Sequence, residues 1–119
     1  MPTAEAAHKT SLQAAIPDIA AQLQQIVGQR LVAYITGSRS SKTVARWASG
    51  DHSPQQQVQD KLRALYRTVL ILAADETAET IRAWMTSANP YMGDEVPAEV
   101  LRAGNPVRVY RAAQAFIDD

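Results

Sequence analysis

The sequence contains no cysteine, so disulfides and thiolate metal sites are excluded. His8 and His52 are isolated, with no acidic or cysteine neighbour at ligand spacing, and we expect both at the surface without a metal. No stretch approaches the roughly 20 apolar residues of a membrane span, and residues 1–15 lack the apolar block of a secretion signal. These absences predict a soluble, cytoplasmic protein with no metal site.

Patterns of catalytic residues are also missing. Ser40 and Ser41 have no general base at a readable spacing and are better explained as helix caps. Glu76 and Glu79 suit the start of a helix, where acidic side chains complement the helix dipole, better than they suit an acid–base pair. We therefore expect no catalytic residues and no enzymatic activity.

Hydrophobic residues make up 46% of the 119 residues, which is enough for one compact domain or for two small ones that share a core. Apolar residues recur at spacings of three and four, and strictly alternating β-branched runs are absent. The predicted fold class is therefore all-α, without strands.

Turn-forming and capping residues divide the chain into seven predicted helices. The predicted caps are Ser40 or Ser41 for the third helix, Ser53 for the fourth, with Pro54 in its first turn, and Asp75 for the fifth. The helices are separated or stopped at Gly28, Gly37, Gly50, Asn89-Pro90 and Gly104. The last helix, opened by Asn105-Pro106, is expected to bury a broad apolar face that consists of Val107, Val109, Tyr110, Ala113, Phe116 and Ile117.

Charge is distributed unevenly along the chain, although the net charge is zero. Residues 28–67 contain seven Lys and Arg against two Asp, a net charge of +5. Residues 68–119 contain four Arg against eight Asp and Glu, a net charge of −4. This asymmetry favours a part that faces a polyanion and a part that faces something else, although solvated helix faces produce similar counts.

The third helix has the pattern of a DNA-recognition helix. At 100° per residue, Val44, Trp47 and Ala48 share an inward arc, whereas Lys42, Arg46 and Ser49 lie on the opposite arc. In a helix-turn-helix unit the second helix enters the major groove, where an arginine pairs with both acceptors of a guanine. Arg46 is the best candidate for reading a base, and the other predicted DNA contacts are Arg39, Ser40, Ser41, Lys42 and Thr43. The alternative is a solvated amphipathic helix with an exposed cation pair.

This segment resembles the helix-turn-helix of Xre-type transcriptional repressors. The resemblance lies in Gly37-Ser38, Thr43-Val44, Arg46-Trp47 and Gly50, with Pro54 beyond. It implies that the chain binds operator DNA, and since half-sites one DNA turn apart require two recognition helices, we expect at least a homodimer.

The C-terminal segment resembles the toxin-binding domain of the Xre/MbcA/ParS antitoxin family. Trp84 is followed by Asn89-Pro90-Tyr91-Met92-Gly93, and then come Pro97, Glu99-Val100-Leu101, Gly104, Val107 and Tyr110, in the family's order. Together the two resemblances cover about residues 26–117. They imply an N-terminal extension over 1–15, expected to be flexible, a helix-turn-helix region over 16–73, and a toxin-binding domain over 74–119.

The resemblance implies an antitoxin that neutralises a RES-domain toxin, which degrades NAD, by covering its active site, and that represses its own operon. Such an antitoxin binds no nicotinamide cofactor itself, and it assembles as a homodimer or as a larger hetero-oligomer with the toxin. Acidic groups of the C-terminal half complement a basic pocket on the toxin. The predicted toxin contacts are Tyr91, Met92, Asp94, Glu95, Asp118 and Asp119.

Several alternatives stay open at this point. Trp84 has core spacing and favours packing over partner contact, whereas Tyr91 and Met92 form either a lid on the core or an exposed anchor. A dimeric helix-turn-helix repressor without a toxin partner would use the C-terminal region only to dimerise. The fourth helix offers an apolar stripe for this, formed by Leu62, Tyr66 and Val69. A third alternative is a small helical module that binds an acidic protein and no DNA.

Overall fold

A computed structural model describes residues 4–119 of the chain. Within that range all regular structure is helical and no strand is present, which confirms the predicted all-α class. The elements in chain order are α1 (Ala4–Gln13), α2 (Ile16–Ile26), α3 (Gln29–Thr36), α4 (Ser41–Ser49), α5 (Gln56–Ala73), α6 (Ala78–Thr86), the 3-10 helix η1 (Pro90–Met92), α7 (Pro97–Arg102) and α8 (Pro106–Asp118).

The long helix α5 packs against six other helices, namely α1, α2, α3, α6, α7 and α8. Leu62, Leu65 and Leu72 of α5 are fully buried, because they recur at helical spacing on its inward face. They belong to one hydrophobic cluster that also contains Leu23 of α2 and Met85 of α6. The helices of the predicted DNA-binding and toxin-binding regions therefore share one core.

Most of the predicted N-terminal extension, from Ala4 to Gln13, is the helix α1, and residues 1–3 lie outside the described part of the chain. Ala7 and Ser11 of α1 are buried, since the helix packs on α5. Arg63 of α5 donates hydrogen bonds to two carbonyl oxygens near the end of α1. One is that of Ser11, in the last turn, at 2.9 Å, and the other is that of Ala14, just beyond the helix, at 2.7 Å. A cation at the carboxyl end of a helix satisfies its free carbonyl groups and complements its dipole.

Two of the predicted helix caps are wrong, and local hydrogen bonds give the reason. Helix α5 begins at Gln56 and not at Ser53, because Pro54 is buried ahead of the helix and its carbonyl accepts a hydrogen bond from the Gln59 side chain at 2.9 Å. Asp75 belongs to the turn that ends α5, where its amide donates to the carbonyl of Leu72 at 3.2 Å. The cap of α6 is Thr77 instead, whose hydroxyl oxygen accepts from an amide of the first turn, that of Thr80.

The apolar face of α8 is narrower than predicted. Val109 and Ala113 are fully buried, as expected, but 54% of Val107 and 39% of Phe116 are exposed. Val107 lies two positions before Val109, which places it about 200° away around the helix and toward solvent. Phe116 lies at the edge of the buried arc, where its ring packs against that of Trp84 of α6.

Residues proposed for dimerisation from the sequence lie inside the chain's own core. Leu62, Tyr66 and Val69 have exposed fractions of 0%, 4% and 1%. The stripe on α5 is thus covered by helices of the same chain and offers no surface to a second copy. His8 and His52 are both exposed, as predicted. No helix in the described range is long and apolar enough to cross a membrane.

Two candidate binding surfaces

A tight glycine turn joins α3 to α4 and fixes the angle between the two helices. Gly37 adopts a left-handed conformation, with φ of 77°, which ends α3. The Ser38 amide donates to the carbonyl of Ala33 at 2.9 Å, which closes the turn. The hydroxyl oxygen of Ser40 then accepts a hydrogen bond from the Lys42 amide at 3.1 Å and caps α4. The sequence predicted a Ser40 or Ser41 cap, and the structure selects Ser40.

The two arcs predicted for α4 are both confirmed. Val44 and Trp47 are buried with exposed fractions of 0% and 3%, because α4 packs on α2 and α3. Lys42, Arg46 and Ser49 are exposed on the opposite side. The inward arc holds the helix to the core, and the outward arc is presented to solvent.

All six residues predicted to contact DNA are accessible, five of them just ahead of α4 or in its first turn and Arg46 in its last turn. Arg39, Ser40, Lys42 and Arg46 are exposed, and Ser41 and Thr43 are half-buried. None of the three cations forms an ion pair or a side-chain hydrogen bond within residues 4–119, and no acidic residue occupies the first turn of α4. We call this set the α4 surface. It offers unpaired cations and hydroxyl groups to an anionic partner.

A second surface is built on the turn around Asn89. The Asn89 side-chain oxygen accepts a hydrogen bond from the Tyr91 amide at 2.9 Å, and its carbonyl accepts from the Asp94 amide, also at 2.9 Å. Its amide donates to the carbonyl of Glu95 at 2.9 Å, which forms an isolated antiparallel bridge. Gly93 and Asp94 both have positive φ, 63° and 67°, which reverses the chain within these bonds. Asn89 is buried and holds the turn in one conformation.

The turn buries one of its two central side chains and exposes the other. Met92 is 4% exposed and belongs to the core, so it forms a lid on the core and not an exposed anchor. Tyr91 is 64% exposed, the largest exposed fraction among the large hydrophobic residues of the described chain. Trp84 is 8% exposed, in agreement with the prediction that it serves mainly packing. The turn thus presents Tyr91 on a base of buried residues.

An apolar groove of 430 Å³ lies beside Tyr91, between α6, η1 and the end of α8. The rings of Trp84 and Phe116 lie in its wall with their centroids 6.3 Å apart and a 53° angle between their planes. Asp119 lines the same groove at the end of α8. Partly exposed aromatic rings around a concave apolar surface are typical of protein-binding sites. We call this the Tyr91 groove.

The four acidic residues predicted to contact a toxin do not form a single negative patch. Glu95 forms an ion pair with Arg108, whose guanidinium also donates to the Met92 carbonyl at 3.3 Å. Asp118 accepts a hydrogen bond from the Gln114 side chain at 3.0 Å. Asp94 is exposed on the turn, and Asp119 lies in the Tyr91 groove.

Sequence reasoning missed three residues of this surface, namely Arg108, Arg111 and Phe116. The signal was present for the two arginines, since a spacing of three places both on one side of α8, next to Tyr91. Phe116 was assigned to the core because its spacing from Ala113 fits a buried face.

Neither surface carries the features of a catalytic or metal site. Within residues 4–119 no group of three or more His, Asp or Glu is arranged to hold a metal ion. The pKa of Tyr110 is raised because its ring is desolvated by burial between α8 and α5, an effect that the neighbouring Arg67 partly opposes. Tyr110 lies in neither the α4 surface nor the Tyr91 groove.

Comparison with known proteins gives a match at the level of structure. No family model matches the chain, and no curated protein matches it. A chain from the crystal structure of the M. tuberculosis MbcT–MbcA toxin–antitoxin complex superposes with a TM-score of 0.75 and 24% sequence identity. The match covers 88% of this chain and 96% of that chain. This chain therefore has the fold of a component of a toxin–antitoxin complex, which confirms at the level of the fold the resemblance seen in the sequence.

Proposed function

We propose that the chain is an antitoxin that neutralises a RES-domain, NAD-degrading toxin by covering its active site, and that it represses its own operon by binding DNA. The observation that carries this proposal is the Tyr91 groove in a chain with the fold of a toxin–antitoxin component. An exposed aromatic side chain held by a rigid turn loses little conformational entropy when a partner binds it. A surface of this kind suits inhibition by binding.

Protection of cells from a toxin tests the proposal directly. The chain is co-expressed with a cognate RES-domain toxin, and growth and cellular NAD are measured. We expect the wild-type chain to preserve both. Equal loss of NAD with and without the chain would contradict the proposal.

A matched tyrosine pair locates the contact in the same assay. Tyr91→Ala removes the exposed ring of the groove and is expected to reduce protection. Tyr34→Ala removes another exposed ring, on α3. This ring lines neither the Tyr91 groove nor the neighbouring groove formed by Arg108 and Arg111, so the substitution should leave protection unchanged. Equal protection by both variants would place the toxin contact elsewhere on the chain.

The proposed DNA-binding role is supported by the unpaired cations of the α4 surface. Binding through several phosphates releases counterions, so the logarithm of the affinity should fall linearly with the logarithm of salt concentration. We expect Arg46→Ala to lose roughly 1–3 kcal/mol and sequence preference, since it is the candidate for reading a base. Lys42→Ala should instead weaken binding to all sequences alike and reduce the salt slope by about one.

A dimeric repressor without a toxin partner is the second candidate function, favoured by the α4 surface alone. It predicts specific DNA binding together with no protection from any RES-domain toxin. The burial of Leu62, Tyr66 and Val69 removes the stripe that this alternative would have used for dimerisation. A repressor of this kind must therefore dimerise through another surface.

A further inference from the structure

Tyr91 separates two grooves of different chemistry. On one side is the apolar Tyr91 groove, with Trp84 and Phe116 in its wall. On the other side is a second groove of 320 Å³, lined by Tyr91, Ala112 and Ala115 together with two arginines of α8, Arg108 and Arg111. Tyr91 and Ala112 line both grooves, so the two grooves adjoin at these residues. We call the second one the arginine groove.

The Tyr91 groove and the arginine groove carry charged side chains of opposite sign. In the arginine groove, Arg108 is engaged by the Glu95 carboxylate and the Met92 carbonyl. Arg111 is exposed and forms no ion pair or hydrogen bond with any side chain of residues 4–119, so its charge is available to a partner. The Tyr91 groove is lined by Asp119, also exposed. One groove thus offers a free cation and the other an acidic side chain, and Tyr91 belongs to both.

The spacing of these charges follows from the helix that carries them. Arg111 lies in α8 and Asp119 directly follows its last residue, eight positions further along the chain. Since a helix rises 1.5 Å per residue, their backbone positions are separated by about 12 Å along its axis. This distance is short enough for one segment of a partner to reach both charges. It exceeds the screening length of about 8 Å at physiological salt, so the two charges act on a partner as separate points of attraction.

We propose that the two grooves together bind one segment of the toxin, in which a carboxylate and a cation lie about 12 Å apart and flank an apolar side chain. The carboxylate pairs with Arg111, the apolar side chain enters the Tyr91 groove, and the cation faces Asp119. This inference rests on the proposed antitoxin function and adds the chemistry and the orientation of the partner segment. The apolar anchor supplies most of the affinity, whereas the two charges fix the direction of the segment and speed its association.

Binding of a catalytically inactivated cognate RES-domain toxin, measured by calorimetry at two salt concentrations, tests this inference. Tyr91→Ala should raise Kd by about 30-fold, as loss of a central aromatic anchor does. Arg111→Glu should raise Kd on the order of tenfold at low salt, and less at high salt because exposed charges are screened. Asp119→Lys should act in the same sense.

A matched charge reversal serves as the control. Arg30 is an exposed cation on α3 that lines neither groove, so Arg30→Glu changes the net charge as Arg111→Glu does and should leave Kd unchanged. If Arg111→Glu and Arg30→Glu bind equally well while Tyr91→Ala binds weakly, the charge order is wrong and the antitoxin function stands. If all variants bind as wild type does, the toxin uses another surface and the inference falls. If the wild-type chain neither binds nor neutralises the toxin, the proposed function fails and the inference fails with it.

Discussion

Asn89 determines where the ring of Tyr91 is presented, because the Asn89 side chain accepts the hydrogen bond of the Tyr91 amide. Asn105 occupies a similar place ahead of Pro106, as the residue before the first turn of α8, but its side chain makes no capping hydrogen bond. The two residues therefore form a natural pair for substitution. They share the sequence context Asn-Pro and differ in whether the side chain is used.

We predict that Asn89→Ala lowers the free energy of unfolding by about 1 kcal/mol, the usual cost of losing a side-chain cap. Asn105→Ala should cost less, within about 0.5 kcal/mol, because no such bond is lost. Urea denaturation with a common m-value for the three proteins measures both changes. An equal loss of stability in the two variants would mean that the bond between Asn89 and Tyr91 does not stabilise the turn.

The turn itself could be predicted from the sequence, but which of its side chains is buried and which is exposed could not. Asparagine before proline and a following glycine are local signals, since each acts through its own backbone angles. Tyr91 and Met92 are neighbours in a helix of three residues, Pro90–Met92, which is too short to show a period. Which of them is buried depends on α8 and the core beneath the turn, so it is decided by tertiary packing.

Helix α1 is attached to α5 largely through two arginine side chains of α5, Arg63 and Arg67, the second of which lies 2.9 Å from a ring nitrogen of His8. Arg63 of α5 donates to the carbonyls of Ser11, Leu12 and Ala14 at 2.9, 3.3 and 2.7 Å. Few apolar residues hold α1 in place, since within it only Ala7 and Ser11 are buried. The charged hydrogen bonds are therefore a large part of what fixes this helix.

Replacement of Arg63 by glutamine is predicted to loosen α1 while α5 stays folded. The expected loss is about 1–3 kcal/mol of local stability, because a charged donor is replaced by a shorter neutral one. Hydrogen exchange should show faster exchange of the α1 amides and unchanged exchange in the centre of α5. Lys61→Gln on the same helix is the control, since the Lys61 side chain forms no hydrogen bond or ion pair with the described residues. Unchanged α1 protection in the Arg63 variant would show that the packing of Ala7 and the contact between Arg67 and His8 are sufficient.

The contact between α8 and α5 is predicted to weaken at high pH. Burial raises the pKa of Tyr110 above 10.0, and Arg67, whose guanidinium carbon lies 4.0 Å from the ring centroid, opposes this in part. A raised pKa means that the folded state holds the phenol proton more tightly than the unfolded state. The stabilising contribution is therefore complete below pH 10 and is lost as the pH rises through the folded pKa. Tyr110→Phe should remove this part of the decline in stability at high pH. The free energy of unfolding, measured from pH 9 to 11 for both proteins, should therefore fall less steeply in the variant. Identical pH dependence in the two proteins would contradict the prediction.

At the scale of elements, the sequence predicted helix boundaries well where a glycine ends the helix, and less well where the boundary depends on which residue caps the helix. Gly37 and Gly50 end α3 and α4 as predicted, since a left-handed residue is needed at both positions. Asp75 and Thr77 are both plausible caps, and only the length of the preceding helix chooses between them. Helix α5 continues to Ala73, so Asp75 is taken up by its final turn and Thr77 caps α6.

At the scale of the whole molecule, the uneven charge of the sequence is only partly reflected in the two surfaces, because the C-terminal grooves carry Arg108 and Arg111 as well as Asp119. The unpaired cations Arg39, Lys42 and Arg46 lie on the α4 surface, whereas Tyr91 and Asp119 lie on the C-terminal grooves. No residue of the α4 surface lines either groove. The charge distribution indicated a part that faces a polyanion and a part that faces something else. It could not show how far apart the two surfaces lie, because that distance depends on how α6, α7 and α8 pack on the first helices.

This separation predicts that the two proposed activities can be removed independently. Arg46→Ala should weaken operator binding and leave toxin neutralisation unchanged, and Tyr91→Ala should do the reverse. Effects of distant substitutions without shared partners add to within roughly 0.5 kcal/mol, so the double variant should show each loss at the size seen in the single variants. DNA binding by fluorescence anisotropy and toxin binding by calorimetry measure the two losses separately.

A departure from additivity would itself be informative, because the two surfaces share a core. Helix α3 packs on both α4 and α7, and the Arg102 side chain of α7 stacks on the Tyr34 ring of α3 at 4.6 Å. If toxin binding shifted α7, α3 is the element through which the α4 surface would feel it. Arg102→Ala would then reduce the coupling between the two sites without lowering either affinity measured alone. Strict additivity of Arg46→Ala and Tyr91→Ala, with and without the Arg102 substitution, would instead mean that the core holds the two surfaces as independent sites.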